Sequence, residues 1–322
     1  MPKNIRIFGE RDRKRGKAMA EKRRVLLIIN PIAGKQTAKN KMYEIINCFI
    51  RAGFEVTVHL TQCAGDATRN VIEDADGFER IVCCGGDGTL SEVIAGVEQA
   101  DYSGKIGYIP TGTTNDFARS LGFSKNPLRA AQVAAGDHSF PCDIGRFGDH
   151  FFTYIAAFGA FTDVAYGTDQ ALKNIFGQMA YFFEGIKHLP SLKRYGVTVK
   201  TNTREITGDF IFGAVTNSYS IGGNTRLIPD ATQTVDLDDG KFEVLLIRYP
   251  KSIMDLNMII QNLVTQNFDQ EHILFFQESR LSFHAVSNEP LPWTLDGEEG
   301  SACVSVDISC LPRRVDFVTE NK

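Results

Sequence analysis

One glycine-rich segment in the first half of the chain has residue types suited to binding phosphate. Gly85–Leu90 reads Gly-Gly-Asp-Gly-Thr-Leu, and its three glycines allow the backbone to approach a ligand closely. A helix predicted to begin here offers unpaired N–H groups and the positive end of its dipole. Asp87 lies inside the segment, so we expect Mg²⁺ or a hydrogen-bonded ribose beside the phosphates. An Asp-Gly hairpin turn is the alternative, and the strand-then-helix flanks disfavour it.

Two further polar segments follow predicted strands in the same way. Asn30–Lys35 reads Asn-Pro-Ile-Ala-Gly-Lys, where backbone N–H groups could contact phosphate and Lys35 could add positive charge. It is not a Walker A loop, because the first Gly and the final Ser or Thr of that motif are missing. Pro110–Phe117 supplies short hydrogen-bonding groups, and Asp116 could cap a helix. Taken alone, these segments are an ordinary turn and an ordinary helix start, but we expect all three loops at one edge of a sheet.

The elements that must position these loops alternate between strand and helix patterns. Continuous apolar runs at Val25–Ile29, Ile81–Cys84 and Ile106–Ile109 predict strands that are buried on both faces. Segments with helical spacing of apolar residues separate them, as from Met42 to Ile50. This order predicts a doubly wound α/β domain with a parallel sheet.

The pattern changes at about Phe140. Alternating apolar and polar residues, rich in Phe and Gly, predict mostly antiparallel strands with two helices, at about Thr168–His188 and Ser252–Asn262. We therefore expect a second, β-sandwich-like domain. The predicted organisation is a basic N-terminal extension (1–23), an α/β domain (24–145) and a β-sandwich-like domain (146–310), with the tail (311–322) returning to the α/β domain.

The charge of the chain is unevenly distributed. The 322 residues have a net charge of −4, which argues against nucleic acid as a partner. Ten of the first 24 residues are Lys or Arg and only three are Asp or Glu. A solvated tail is one interpretation of this basic arm, and weak attraction to an anionic membrane is the other.

No feature of the sequence predicts secretion or a membrane span. The basic start is not followed by an apolar stretch with a cleavage site, and no apolar run reaches the roughly 20 residues that span a bilayer. The seven cysteines include no Cys-x-x-Cys pair, which favours reduced thiols. We expect a cytoplasmic protein that could reach lipid only from the water side, at the inner face of the membrane.

Taken together, the motifs resemble the catalytic domain of the diacylglycerol kinases, a family that also includes sphingosine and ceramide kinases. Asn-Pro-x-x-Gly, Gly-Gly-Asp-Gly-Thr and Pro-x-Gly-Thr-x-Asn-Asp-Phe occur in that family's order and spacing. Leu227–Ala231 with Leu237–Gly240 resembles its Pro-x-Ala…Asp-Gly stretch, and Leu295–Glu298 resembles its Asp-Gly-Glu motif. The resemblance extends from about Arg24 to the C-terminus.

The resemblance implies a kinase that uses ATP and Mg²⁺ to phosphorylate a lipid hydroxyl at the membrane surface. Diacylglycerol is the expected acceptor and phosphatidic acid the product, with sphingoid bases, ceramide and glycerophospholipids as alternatives. The family binds ATP between its two domains and is compatible with a homodimer. Residues similar to its nucleotide contacts are Asn30, Pro31, Ile32, Ala33, Gly34, Thr61, Gly85, Gly86, Asp87, Gly88, Thr89, Leu90, Ser91, Thr113, Asn115 and Asp116.

The resemblance also implies a Mg²⁺ site in the second domain, at Asp236, Asp239 and Lys241. Asp236 and Lys241 would contribute backbone carbonyls. The residue types fit, because Mg²⁺ prefers oxygen ligands and keeps several waters. An Asp-rich turn is the alternative interpretation of this cluster.

The catalytic residues implied by the resemblance are Asp296, Glu298 and Asp87. A positioned carboxylate could accept the proton of the lipid hydroxyl as it attacks the γ-phosphate. The sequence leaves the choice between Asp296 and Glu298 open. Taken alone, the motif is also compatible with an Asp-Gly turn between two strands.

Two other functions remain alternatives. An NAD kinase-like phosphotransferase would use a similar Gly-Gly-Asp-Gly segment, but Pro110–Phe117 and Asp296–Glu298 fit the lipid-kinase pattern better. A non-catalytic lipid or nucleotide sensor would be expected to have lost catalytic positions that are present here. For the lipid itself, the aromatic-rich stretches Phe147–Phe161 and Phe176–Phe183 are candidates for an apolar surface, although aromatic residues more often belong to a core.

Overall fold

Two units, each with its own strands and core, make up the chain. The structure, a computed structural model, describes residues 5–7, 23–34, 37–159, 192–218 and 235–320. One unit comprises Met1–Cys142 with Val315–Lys322, and the other comprises Asp143–Arg314. The predicted features that lie outside the described residues are Lys35, the helix at about Thr168–His188, the stretch Phe176–Phe183 and the motif Leu227–Ala231.

The first unit contains a sheet whose central strands are parallel, as predicted. Its strands are β1 (Ile5–Ile7), β2 (Arg24–Ile29), β3 (Glu55–Leu60), β4 (Arg80–Gly85) and β5 (Lys105–Pro110). β2 lies between β3 and β4, and β5 follows β4. β1 pairs with β3 in the antiparallel sense. Nearly all side chains of β2, β4 and β5 are buried, which explains why these strands are continuous apolar runs.

Helices separate the strands of this unit. They are α1 (Thr37–Arg51), α2 (Asp66–Asp74), α3 (Asp87–Gln99), α4 (Asp116–Ser120) and α5 (Pro127–Ala134). Apolar side chains of α1 and α5, such as Phe49 and Ala131, share one core with β2 and β4. α2 and α3 pack closely on each other, because Gly96 has no side chain where α3 meets Val71. The doubly wound α/β prediction is confirmed.

The second unit is built from antiparallel strands. Their bounds are β6 (Ser139–Phe147), β7 (His150–Phe152), β8 (Ile155–Gly159), β9 (Tyr195–Thr201), β10 (Glu205–Thr216), β11 (Phe242–Arg248), β12 (Ile273–Glu278), β13 (Arg280–Ala285), β14 (Trp293–Leu295), β15 (Glu298–Glu299) and β16 (Ser305–Val318). The order β16-β13-β9-β10-β8-β14-β15 forms one ladder, and β11 and β12 continue from β10. Helix α6 (Ile253–Thr265) joins β11 to β12.

The core of the second unit is aromatic. Phe147, Phe152 and Phe158 are buried in it with Trp293, and the ring centroids of Phe158 and Trp293 are 4.9 Å apart. The described part of the stretch Phe147–Phe161 therefore contributes these rings to a core and not to an exposed apolar surface. The β-rich fold predicted for this half is confirmed.

The chain crosses between the units twice. It leaves the first unit within β6 and returns within β16, whose Phe317 pairs in parallel with Ile106 of β5. In the part of the chain that the structure describes, no helix is long and apolar enough to cross a membrane.

Candidate active site

The three polar loops of the first unit meet at one edge of the sheet. They follow β2, β4 and β5, which are neighbouring parallel strands, so their carboxyl ends lie side by side. The Asn30 N–H donates to the Cys84 carbonyl oxygen (2.9 Å), and the Thr111 N–H donates to the Gly85 carbonyl oxygen (2.8 Å). Backbone hydrogen bonds therefore join the first loop to the second and the second to the third.

Side chains strengthen the contact between the first two loops. The Asn30 side-chain amide donates to the Thr89 hydroxyl (3.0 Å), and its Oδ1 accepts from the Ile32 N–H (3.1 Å). Thr61 joins them from β3, because its N–H donates to the Ile29 carbonyl oxygen at the end of β2 (3.0 Å). The predicted nucleotide contacts of the first unit thus lie around one sheet edge.

Glycines allow these loops to touch. Gly34 has a φ of 55°, and a side chain there would also clash with the Thr111 carbonyl oxygen. A Cβ at Gly112 would lie 2.5 Å from the Gly86 Cα, which is closer than real Cβ contacts. The sequence suggested that the glycines let a ligand approach, and the structure shows that the three loops also need glycines to pack on one another.

The acidic residues of this edge are linked. The Asp116 N–H donates to Asp87 Oδ2 (3.1 Å). Asp87 is half-buried in the first turn of α3, and Asp116 is fully buried in the first turn of α4. The prediction that Asp116 caps α4 is wrong. Asn115 is the N-cap residue with a left-handed φ of 50°, and it makes no capping hydrogen bond. Its amide nitrogen donates to the Gly112 carbonyl oxygen, and its Oδ1 accepts from the Tyr108 hydroxyl (3.4 Å).

Not every residue that was predicted to contact the nucleotide has an accessible side chain. The Leu90 side chain is fully buried in the core, so only the backbone of Leu90 could face a ligand. Ile32 is the opposite case, since 77% of it is exposed although it is large and apolar. Thr113 is exposed in the third loop and Ser91 is half-buried in α3.

A pocket of about 170 Å³ opens beside the third loop. Its lining comprises Pro110, Thr111, Gly112, Thr113, Thr114, Asn115, Ala118, Arg119, Phe123, Lys125 and Pro127. Arg119 and Lys125 contribute positive charge to this lining, and Arg119 also lies 3.9 Å from Asp116 Oδ1 in an ion pair. The pocket therefore suits an anionic group. The sequence analysis did not single out Arg119, Phe123 or Lys125, because none of them lies within a glycine-rich motif.

The second unit holds the carboxylates of the Asp-Gly-Glu motif, in two very different environments. Asp296 is 3% exposed and has a left-handed φ of 51°, whereas Glu298 is exposed in β15. Asp296 Oδ2 accepts from the Thr153 N–H (2.7 Å) and hydroxyl (2.9 Å). Its Oδ1 accepts from the N–H groups of Tyr154 (2.9 Å) and Ile155 (3.1 Å).

These four donors fill the four lone-pair sites that a carboxylate offers. Burial raises the pKa of Asp296, and the hydrogen bonds from Thr153, Tyr154 and Ile155 act in the opposite direction. A substrate hydroxyl could reach Asp296 only by displacing one donor. The Thr153 hydroxyl is the one side-chain donor of the four, so it alone can rotate away without moving the backbone.

The predicted metal residues form a tight acidic turn after Val235. The Lys241 N–H donates to Asp239 Oδ1 (2.9 Å). Burial raises the pKa of Asp239, and this hydrogen bond opposes that shift. Burial also raises the pKa of Asp238, and a hydrogen bond with Asp236 raises it further. Negative charge is therefore crowded at this turn.

The acidic turn fits a hard cation in its donor chemistry. Among the described residues, no three His, Cys, Asp or Glu side chains are grouped so that they could hold a metal ion. The predicted set needs only the Asp239 carboxylate with backbone carbonyls of Asp236 and Lys241, and water can complete an octahedral shell of oxygen ligands. A bound cation would also offset the repulsion from neighbouring carboxylates, which adds to burial in raising the pKa values of Asp238 and Asp239.

Two buried acidic residues near this turn were missed by the sequence analysis. Asp143 is fully buried and its Oδ2 accepts from the Gly240 N–H (2.6 Å). Glu243 is 1% exposed, pairs across the strands with Thr216, and accepts from the Gln277 amide (3.0 Å). Burial raises the pKa of Glu243 to about 7. Neither residue belongs to a recognisable motif, so no local signal marked them.

Comparisons with known proteins agree for both units. The family model described as the diacylglycerol kinase catalytic domain matches residues 24–147, and the one described as the YegS C-terminal NAD kinase beta sandwich-like domain matches residues 157–319. A diacylglycerol kinase of Bacillus subtilis (strain 168) is 33% identical over 280 residues, which cover 86% of this chain and 90% of that protein. A diacylglycerol kinase of Staphylococcus carnosus (strain TM300) is 33% identical over 283 residues, covering 87% and 90%.

A solved structure shares the fold. The crystal structure of a diacylglycerol kinase from Bacillus anthracis str. Sterne superimposes with a TM-score of 0.72, at 21% identity, and covers 94% of this chain and 98% of that chain. The similarity therefore extends over both units and nearly the full length of each protein.

Proposed function

Because this chain belongs to the diacylglycerol kinase family, we propose that it is an ATP- and Mg²⁺-dependent lipid kinase. The proposed reaction transfers the γ-phosphate of ATP to the free hydroxyl of diacylglycerol and yields phosphatidic acid. The observation that carries the proposal is the contact of the three loops around Asn30, Gly86 and Gly112. The contact places the three loops at the N-terminus of α3, and a helix N-terminus suits the phosphates of a nucleotide.

The first unit has the groups needed to hold the nucleotide. The N-cap residue Gly86 has no side chain to cap α3, so the backbone N–H groups of its first turn and its positive dipole end suit phosphate oxygens. The exposed Ile32 side chain provides an apolar surface beside the same edge, suited to a base. Arg119 and Lys125 would add positive charge for a phosphate group in the pocket beside the third loop.

The second unit has the groups needed for the proton and the metal. The hydroxyl of the acceptor loses its proton as it attacks phosphorus, and the Asp296–Glu298 turn provides two carboxylates that can accept it. Asp239, with carbonyls of Asp236 and Lys241, would hold Mg²⁺. When bound, Mg²⁺ neutralises charge on the phosphate oxygens. The protein would meet its lipid at the membrane surface from the water side.

The proposal is tested by phosphate transfer from labelled ATP to a panel of acceptors in mixed micelles with Mg²⁺. The panel contains diacylglycerol, a sphingoid base, ceramide, a glycerophospholipid and, without micelles, NAD. We expect label in phosphatidic acid, and we expect Asp87→Ala to lose it because Asp87 Oδ2 accepts from the Asp116 N–H and so anchors the third loop. Asp76→Ala, at an exposed residue of the same unit, is the matched control and should retain activity.

The outcomes separate the alternatives. Label on NAD and on no lipid would replace the proposal with an NAD kinase-like activity. Binding of ATP, measured by calorimetry, with no transfer to any acceptor would favour a nucleotide sensor. Label on another lipid would retain the lipid kinase and change its acceptor.

A further inference from the structure

A path of hydrogen bonds within the second unit joins the Asp296 turn to the acidic turn at residues 236–241. At one end, Asp296 holds the N–H groups of Thr153, Tyr154 and Ile155. The Tyr154 carbonyl oxygen then accepts from the Thr216 hydroxyl (2.7 Å) and from the Asn217 N–H (2.9 Å). The end of β10 is therefore hydrogen-bonded to the segment Thr153–Ile155, which also donates to Asp296.

Asn217 continues the path through its side chain. Its amide donates to the Asp143 carbonyl oxygen (3.1 Å). The Asp143 N–H donates to the Leu237 carbonyl oxygen (2.8 Å), and Asp143 Oδ2 accepts from the Gly240 N–H (2.6 Å). Asn217 thus contacts both halves of the path, with its backbone on one side and its side chain on the other.

The path is shielded from water over most of its length, up to the part-buried bond between Asp143 and Gly240. Thr153, Thr216, Asn217 and Asp143 have no exposed surface, and Asp296 is 3% exposed. Buried hydrogen bonds of this kind are strengthened by the low local dielectric, and water cannot replace a member that is lost. These bonds therefore connect the two turns through groups that solvent cannot readily replace.

The amide of Asn217 is used through its donor. In the described part of the chain, the buried Asn217 Oδ1 has no hydrogen-bond partner. A leucine of similar size would avoid that unsatisfied acceptor but would leave the buried Asp143 carbonyl oxygen without a donor. The donor to Asp143 is the link between the two turns.

We propose that Asn217 is a positioning residue of the kinase reaction, which holds the Asp296–Glu298 turn in a fixed arrangement with the acidic turn at Asp239. This inference rests on the proposed function, which assigns proton acceptance to the first turn and the cation to the second. Asn217 acts through Tyr154 and Asp143 and needs no contact with substrate. A misplacement of one turn would slow the chemical step and leave nucleotide binding to the first unit unchanged.

The test compares Asn217→Asp with Asn262→Asp. Both residues are buried asparagines of the second unit, and Asn262 lies in α6, away from the path. We expect Asn217→Asp to lower kcat by on the order of 10- to 100-fold with KM for ATP within about twofold of wild type. Asn262→Asp should lower the melting temperature to a similar extent and keep kcat.

Amide hydrogen exchange in the free protein gives a second readout that needs no activity. Asn217→Asp should speed exchange at Tyr154, Ile155 and Gly240, and Asn262→Asp should leave these amides as in wild type. If Asn217→Asp does not fold, Asn217→Ser is measured in the same way. Unchanged exchange at these amides, or a kcat equal to that of wild type, would overturn the positioning role. A wild-type protein inactive on every acceptor would overturn the proposed function and leave the exchange result standing.

Discussion

At the scale of single residues, one short motif contains two carboxylates with different surroundings. Asp296 is buried and accepts four hydrogen bonds, whereas Glu298 is exposed two residues later. From its resemblance, the motif predicted that one of these carboxylates accepts the proton of the substrate hydroxyl. It could not distinguish the residue that holds the turn from the residue that faces solvent, because that difference comes from Thr153–Ile155, more than 140 positions away in the chain.

Substituting each carboxylate by its amide should separate these roles. Asp296→Asn places an NH₂ group against donors, so we expect a loss of roughly 2–5 kcal/mol in the free energy of unfolding, together with loss of activity. Glu298→Gln should change stability by less than about 0.5 kcal/mol and lower kcat about 100-fold or more if it accepts the proton.

Urea unfolding and steady-state kinetics at fixed pH give both quantities for each variant. An Asp296→Asn protein as stable as wild type would show that the four hydrogen bonds do not hold the turn. Glu298→Gln with the wild-type kcat would leave Asp296 as the proton acceptor, reached after the Thr153 hydroxyl rotates away.

Ion pairs of Arg23 should make the stability of the first unit depend on pH in the acid range. Arg23 hydrogen bonds with Glu79 and with Asp137, and these bonds lower the pKa of both carboxyl groups. Because the folded pKa values lie below the unfolded ones, the stabilisation is present above the ordinary value of 4.5 for Glu79 and is lost as pH falls. Both carboxylates are substantially exposed, so the effect is at most about 1 kcal/mol.

Removing the Arg23 guanidinium should make the free energy of unfolding less dependent on pH between pH 7 and pH 3. We expect Arg23→Gln to be less stable than wild type at pH 7 and nearly equal to it at pH 3, as measured by urea unfolding at both values. Arg51→Gln, at the exposed end of α1, is the control and should follow the wild-type profile. A constant difference between Arg23→Gln and wild type at both pH values would contradict the assignment.

At the scale of elements, the strands of the first unit were predictable and the packing of its loops was not. Val25–Ile29 and Ile81–Cys84 are apolar runs because both faces of a central parallel strand are buried, and that pattern is local. Gly112 needs its missing side chain because Gly86, from another loop, lies against it. Likewise, Asn115 and not Asp116 is the N-cap residue of α4, and its side chain contacts Gly112 and Tyr108 instead of the first turn of the helix.

Adding one methyl group at Gly112 should test the contact between loops. In Gly112→Ala the Cβ would lie 2.5 Å from the Gly86 Cα and 2.7 Å from Asn115 Oδ1. The second loop must shift, so we expect a loss of about 1–3 kcal/mol in stability and a KM for ATP raised roughly tenfold or more. Gly53→Ala is the control, because Gly53 has a positive φ but no atom near its Cβ position.

The Gly53→Ala control separates the effect of backbone strain from the effect of a displaced loop. Gly53→Ala should lose about 1 kcal/mol through its left-handed backbone alone and keep the wild-type KM for ATP. Calorimetric titration with ATP, alongside kinetics, reports the loop directly. ATP binding by Gly112→Ala that equals wild type would show that the loop contact is not part of the nucleotide site.

At the scale of the whole molecule, positive charge is concentrated in the first 24 residues and the remainder of the chain is acidic. The first 24 residues hold ten of the 35 Lys and Arg residues and three of the 39 Asp and Glu residues. The remaining 298 residues therefore carry a net charge of −11. An acidic body is repelled by an anionic membrane, so any electrostatic attraction must come from the basic arm.

The arm should govern binding to anionic vesicles. Each basic residue near such a surface contributes about 1 kcal/mol at most, so reversing Lys14, Arg15 and Lys17 to Glu should weaken binding at least tenfold. Lys39, Lys193 and Lys251, which are exposed on the described units, are reversed together as the control. Binding is measured by sedimentation with vesicles of phosphatidylcholine, with and without phosphatidylserine.

The salt dependence decides whether the attraction is electrostatic. Raising the ionic strength from about 0.01 M to 0.15 M shortens the screening length from about 30 Å to 8 Å, so wild-type binding should fall toward that of the arm variant. Vesicles without phosphatidylserine should bind both proteins equally. If the arm variant and the control variant lose binding to the same extent, total charge and not the arm sets the affinity. If neither loses binding, the protein reaches its lipid through apolar contacts, and the basic arm does not contribute to membrane binding.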